Sequence, residues 1–167
     1  MKKFKNSKKD QFLDSIPVAS LDLDNDDITA RMKFNFSYFD ESQEIGLNIT
    51  SLSKVHSNKL FKKIKEYSRE SLEYWKNIKI GSGKHKKSVY INYVDFPKNS
   101  DFKHPKYIPH QVEWGRFRLE SDFRLVGFVV PDSYEGKFKK NTNKRFDTNT
   151  FYVVFLDHEH RFYLTRK

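Results

Sequence analysis

Hydrophobic and polar positions change period several times along this chain, and each period predicts an element. Phe34, Phe36 and Tyr38 alternate with Asn35 and Ser37, the two-residue period of a half-buried strand. Gly46 to Ser53 is a looser apolar stretch. From 57 to 77 the period lengthens to that of a helix. Leu60, Phe61, Ile64, Tyr67, Ser68, Leu72, Tyr74 and Trp75 form one stripe, and Lys62, Lys63, Lys65, Glu66, Arg69, Glu70, Glu73 and Lys76 mostly take the other side. The spacing predicts one amphipathic helix, capped by Ser57 and stopped by Gly81-Ser-Gly83.

Val89 to Val94 predicts a further strand. Residues 95–111 carry Pro97, Pro105 and Pro109 with His104 and His110, which predicts a proline-stiffened loop. Three terminal strands are expected near 112–120, 123–130 and 150–163, the first two joined tightly through Glu120-Ser-Asp122. Residues 131–149 are polar and basic and read as a mobile connection. Strand, helical segment, then sequential hairpins argue for an α+β fold, a mainly antiparallel sheet with helices packed on one face. The expected organisation is an N-terminal arm over 1–30 and a single α+β domain over 31–167.

Composition sharpens the functional reading. The 32 Lys and Arg exceed the 22 Asp and Glu by ten charges, which points to a polyanionic partner. With 16 Phe and 9 Tyr in a chain this polar, aromatic rings must supply much of the core, leaving a minority to stack on bases. Cysteine is absent, excluding disulfides, thiolate metal sites and cysteine nucleophiles and fitting a reducing compartment. No apolar run is long enough to span a bilayer, and the basic residues 1–9 precede no signal-type stretch, so a cytoplasmic location without membrane contact is expected. Asp22-Leu-Asp-Asn-Asp-Asp27 is not a calcium loop: Asp27 stands where glycine is needed and Lys33 where glutamate is needed. No phosphate-binding glycine loop, dinucleotide fingerprint, nucleophile elbow or zinc pattern appears.

The chemistry concentrates at the C-terminal end. Arg116, Arg118, Arg124, His158, His160, Arg161 and Tyr163 are set into the terminal strands. Strand parity groups Arg116 with Arg118, and His158 with His160. The arginines form either the solvated face of an amphipathic sheet or a phosphate-contacting face, and Arg161 joins the latter set. Lys84, His85, Lys86 and Lys87 are either a phosphate-contact loop or a solvated charge run. His158 and His160 could share a metal only if His104, His110 or Asp157 completed the set; no such convergence is evident, and no metal or other cofactor is expected.

Arg116-Phe-Arg-Leu-Glu-Ser-Asp-Phe-Arg-Leu-Val-Gly-Phe-Val129, Phe151-Tyr-Val-Val-Phe-Leu-Asp157 and His160-Arg-Phe-Tyr163 resemble the RelE/ParE superfamily of bacterial toxins, whose active members cut mRNA on the ribosome. The helical segment Ser53–Trp75 precedes them in the expected order. The resemblance covers residues 30–77 and 112–163; the N-terminal arm and segments 78–111 and 131–149 have no counterpart in it, and such toxins are usually much shorter. The resemblance implies a RelE-like fold and a metal-independent endoribonuclease. It places Arg124 at the catalytic arginine position, with His160 or His158 as general acid and Tyr163 orienting the phosphate or stacking on a base. Glu113, Glu120 and His158 are candidates for the base, and Arg116 and Arg118 would contact flanking phosphates. The implied partners are RNA or the ribosome and an acidic antitoxin-like protein. Two readings compete with the toxin: a non-catalytic nucleic-acid-binding module, and a basic interaction protein held by an acidic partner.

Overall fold

The computed structural model describes residues 7–15 and 28–165. Lys2, Lys3 and Lys5 of the basic arm, the acidic run 22–27 and the His85 side chain lie outside the described residues. The fold is α+β, with a mixed five-stranded sheet and three helices among the described residues. Helix α1 (Ser7–Ser15) has no buried residue. Strand β1 (Lys33–Asn35) is followed by helices α2 (Lys54–Tyr67) and α3 (Leu72–Asn77). Then come a short hairpin, β2 (Lys79–Ile80) and β3 (Lys87–Ser88), strand β4 (Tyr90–Val94), and β5 (Glu113–Glu120), β6 (Phe123–Val129) and β7 (Thr150–Asp157). The sheet runs β1-β7-β6-β5-β4, antiparallel throughout except where β1 lies parallel to β7.

The single predicted helix is two helices. Ser53, in extended conformation, caps α2 by accepting from the His56 amide, so the helix begins one turn before Ser57. The chain breaks after Tyr67, and Ser71 starts α3 by accepting from the Tyr74 amide. Ser68 ends the first helix and Ser71 caps the second, a side-chain bond that favours a new helix start over continuation, and the 3.6-residue stripe is blind to that. Leu60, Tyr67, Leu72 and Trp75 pack with Phe117, Leu125, Phe151 and Leu156 on one sheet face, whereas Phe61, a stripe member, is 67 % exposed.

The second sheet face is also covered. Phe102 and Ile108 of the proline-rich segment and Phe162 after β7 pack on Trp114, Val126, Phe128, Val154 and Phe155. Coverage on both faces explains why every residue of β6 is buried and why its sequence is a near-continuous apolar run rather than an alternation. Arg161 clasps this cover, pairing with Asp101 at 2.7 Å while its carbonyl accepts from the Asp101 amide.

Three further expectations change. The alternating Phe34–Tyr38 stretch is a strand only over Lys33–Asn35. The last strand ends at Asp157, not 163, and the chain bends away from it. Residues 131–149, for which no element was expected, carry local structure: a 3-10 turn over Asp132–Tyr134 leads into a small hairpin with Phe138 bridged to Arg145 and Asn141 in the left-handed region.

Candidate functional site

Cross-strand register lays a charged row across the end of the sheet. Arg118 of β5 stands opposite Arg124 of β6, which stands opposite Asp157 of β7. Two rows further in, Arg116 faces Val126. Alternation puts Arg116 and Arg124 on the face that holds Trp114 and Phe162, and there a cavity of about 250 Å³ opens. Tyr93, Arg116, Arg124, Asp157, His160 and Tyr163 are among the residues that line it.

Arg124 lines this cavity and is 1 % exposed. One Nη donates to the Phe123 carbonyl at 2.8 Å, the other Nη lies 3.3 Å from His160 Nε2, and Nε has no partner. No carboxylate lies within ion-pair distance of it among the described residues. Burial, with Arg116 and Arg118 adding repulsion against weaker support from Asp157 and Asp122, pushes its pKa down to about 10. A guanidinium held uncompensated in this way is unusual, because buried charges are normally paired.

Asp157 could have been that partner, but its oxygens are engaged elsewhere. Oδ1 accepts from the amides of Glu159 and Arg161, and Oδ2 from the amide of Phe162. These bonds fold the residues after β7 into a tight turn that holds His160 at φ 58°, a conformation costing a non-glycine residue about 1 kcal/mol or more. The turn seats Phe162 in the core at 0 % exposure, worth roughly 1.5–3 kcal/mol, and directs His160 to Arg124.

The Arg124–His160 contact fixes a proton. A guanidinium nitrogen only donates, so His160 Nε2 accepts, and the neutral ring carries its proton on Nδ1. Partial burial and the charges of Arg124 and Arg116 hold the His160 pKa below its ordinary value. In this arrangement His160 Nε2 carries no proton, whereas the family resemblance implies a general acid at this residue. Tyr93, which sequence reasoning assigned only to a strand, accepts from Arg116 Nε at 2.7 Å and keeps its own O–H to donate. Burial raises its pKa, so the phenol stays protonated. Tyr163 stacks on Tyr93 with ring centroids 5.1 Å apart.

The other candidates lie elsewhere. His158 does not share a side with His160: strand parity ends at Asp157. Its ring lies 6.4 Å from His56 of α2, which packs on Phe123 of the helix-covered layer. The two histidines therefore form no metal pair, and no group of three His, Asp or Glu that could hold an ion occurs among the described residues. Glu113 bonds Asn92, and Glu120 pairs with Lys59 of α2, so neither proposed base reaches the cavity. Arg161 belongs to the clasp with Asp101. Arg118 turns to the Ser121 carbonyl and lines a neighbouring groove with Lys87 and Lys63. Lys84 and Lys86 are exposed on the β2–β3 connection. His104 packs on Phe96 and Trp114.

What the site can do follows from these groups. Two guanidiniums, a phenol O–H and a neutral imidazole surround a space suited to a tetrahedral oxyanion such as a phosphate. No described helix is long and apolar enough to cross a membrane. No family model, no curated protein and no solved structure matches the chain.

Proposed function

We propose that the protein engages RNA by seating a phosphodiester in the Arg116–Arg124–His160 cavity, and that it cleaves the bond there without a metal. The observation carrying this reading is Arg124, buried without a carboxylate and in contact with a histidine. An anion entering the cavity would supply the missing charge and draw Arg124 away from His160 Nε2. That nitrogen then takes the 2′-OH proton. The 2′-oxygen bonds to phosphorus, the bond from phosphorus to the 5′-oxygen breaks, and the Tyr93 O–H or a water protonates the leaving oxygen. The products are a 2′,3′-cyclic phosphate and a 5′-hydroxyl. Arg116 and Arg124 stabilise the charge developing on the equatorial oxygens. The order of helical segment and terminal hairpins also supports the RelE-like resemblance, and with it a cytoplasmic growth-arresting role restrained by an acidic partner.

A second reading, RNA binding without cleavage, is favoured by one observation: His160 Nε2 is already occupied by Arg124, and no carboxylate base lines the cavity except Asp157, which holds three amides. The test incubates the purified protein with single-stranded RNA and with ribosomes in EDTA, beside Arg116→Gln and His160→Gln. Cleavage leaving cyclic phosphate ends, lost in both variants, is expected. Binding that needs Arg116 but yields no product selects the second reading. Cleavage undiminished in both variants removes the cavity from the mechanism.

A further inference from the structure

A second concave surface lies on the same sheet face, at the opposite end of β6. Its floor is aromatic. Phe128 and Tyr152 stack with centroids 5.0 Å apart and planes within 9°, and Tyr38 meets both edge-on. Tyr107, 56 % exposed, stacks on Tyr38 in turn. The opposing wall is the 131–149 segment, where Tyr134 and Phe146 pack edge to face. The groove between them measures about 520 Å³, within the size of small-molecule sites.

Its rim is cationic. Lys139, Lys144 and Arg145 line it, and Lys139 and Lys144 form no ion pair among the described residues. The one carboxylate in the lining, Asp147, is already paired with Lys33 at 2.8 Å. Stackable rings beneath unpaired cations are what a splayed single strand requires: a π-face for the base and positive charge for its phosphate. The cover segment presents Lys98, Lys103 and Lys106 to solvent, and Arg124 and Phe128 stand four steps apart on β6, roughly 13 Å.

We infer that this groove is a base-stacking subsite for single-stranded RNA, holding nucleotides that flank the phosphodiester seated at Arg124. The inference deepens the RNA reading and rests on it for the identity of the polyanion. A stacked base lies against the Tyr38–Tyr152 floor, and Lys139 and Lys144 neutralise its phosphates. Recognition is then of unpaired strands, because a base held in a duplex offers no free face.

The test measures binding of a labelled octanucleotide RNA and of a dinucleoside monophosphate, the latter long enough only for the Arg124 cavity. Wild type is compared with Lys139→Gln/Lys144→Gln, Tyr134→Ala and Arg124→Met, each checked for an unchanged circular dichroism spectrum. The groove variants should weaken the octanucleotide at least tenfold and leave the dinucleoside monophosphate unaffected. The double lysine variant should flatten the dependence of log K on log salt by about 1.4, at about 0.7 per single-strand phosphate contact. Unchanged octanucleotide affinity in the groove variants, with loss in Arg124→Met, overturns the subsite and spares the cavity. Loss in the groove variants alone supports the subsite and removes the cavity. Equal affinity for duplex RNA, or displacement of the octanucleotide by a proline-rich peptide, overturns base stacking here.

Discussion

Replacing Arg124 with methionine should make the protein more stable and unable to bind phosphate. The guanidinium sits at about 10, well below its ordinary value, and stays protonated at neutral pH. Holding that charge costs the folded state roughly 3 kcal/mol. The cost is present in full below about pH 10 and fades only as pH rises toward the ordinary arginine value, so a comparison at pH 7 reads all of it. Methionine fills a similar length with no charge. It forfeits the bond to the Phe123 carbonyl, about 1 kcal/mol, and removes a favourable neighbour of Asp157. The net gain is on the order of 1–2 kcal/mol. With a urea dependence of about 2 kcal/mol per M for a domain of this size, the midpoint should rise by roughly 0.5–1 M at unchanged slope. Phosphate added to millimolar level should raise the midpoint of the wild type by mass action and leave the variant unmoved. A midpoint that falls by 0.5 M or more in the variant would mean that Arg124 is a structural strut, and the anion site would lose its physical basis.

Asp157→Asn should release the turn that depends on three amides; we expect about 2–4 kcal/mol of lost stability and faster hydrogen exchange at Glu159, Arg161 and Phe162, and exchange unchanged at those amides would refute the role. His160 has a depressed pKa, so its contribution to stability is present above the unfolded value near 6.5 and is lost as pH falls through the folded value. His160→Gln should therefore flatten the fall in urea midpoint below pH 6.5, and bound phosphate should raise the His160 titration seen by NMR; a titration insensitive to phosphate counts against contact. Tyr67→Phe removes the hydroxyl that donates to the Arg118 carbonyl beneath the arginine row and should cost about 1–2 kcal/mol; a loss under 0.3 kcal/mol by urea titration would show the bond to be dispensable.

Sequence patterning located β5, β6 and the core of β7 because turn residues and β-rich runs are local signals. It missed the covered second face, since nothing local says that Phe102, Ile108 and Phe162 converge from distant segments. The helix break at Ser68–Ser71 was hidden because the stripe continues through it at the right spacing. In the site, Arg116, Arg124 and His160 were legible as chemistry, but their convergence depends on register and on the turn after Asp157. His158 was misplaced for the same reason: parity holds only while the strand lasts. Tyr93 gave no signal beyond strand alternation.

The position of β7 has a consequence for how the protein comes into being. This strand lies inside the sheet, between β1 and β6, so β1 waits more than a hundred residues of synthesis for its neighbour, pairing Lys33 with Thr150. Such distant pairing is slow to form. A growing chain halted before residue 150 would carry its three sheet arginines on a hairpin with an open edge, and would have neither His160 nor Phe162. Whatever chemistry the cavity performs is therefore acquired in one late step, when a single strand closes both the core and the site.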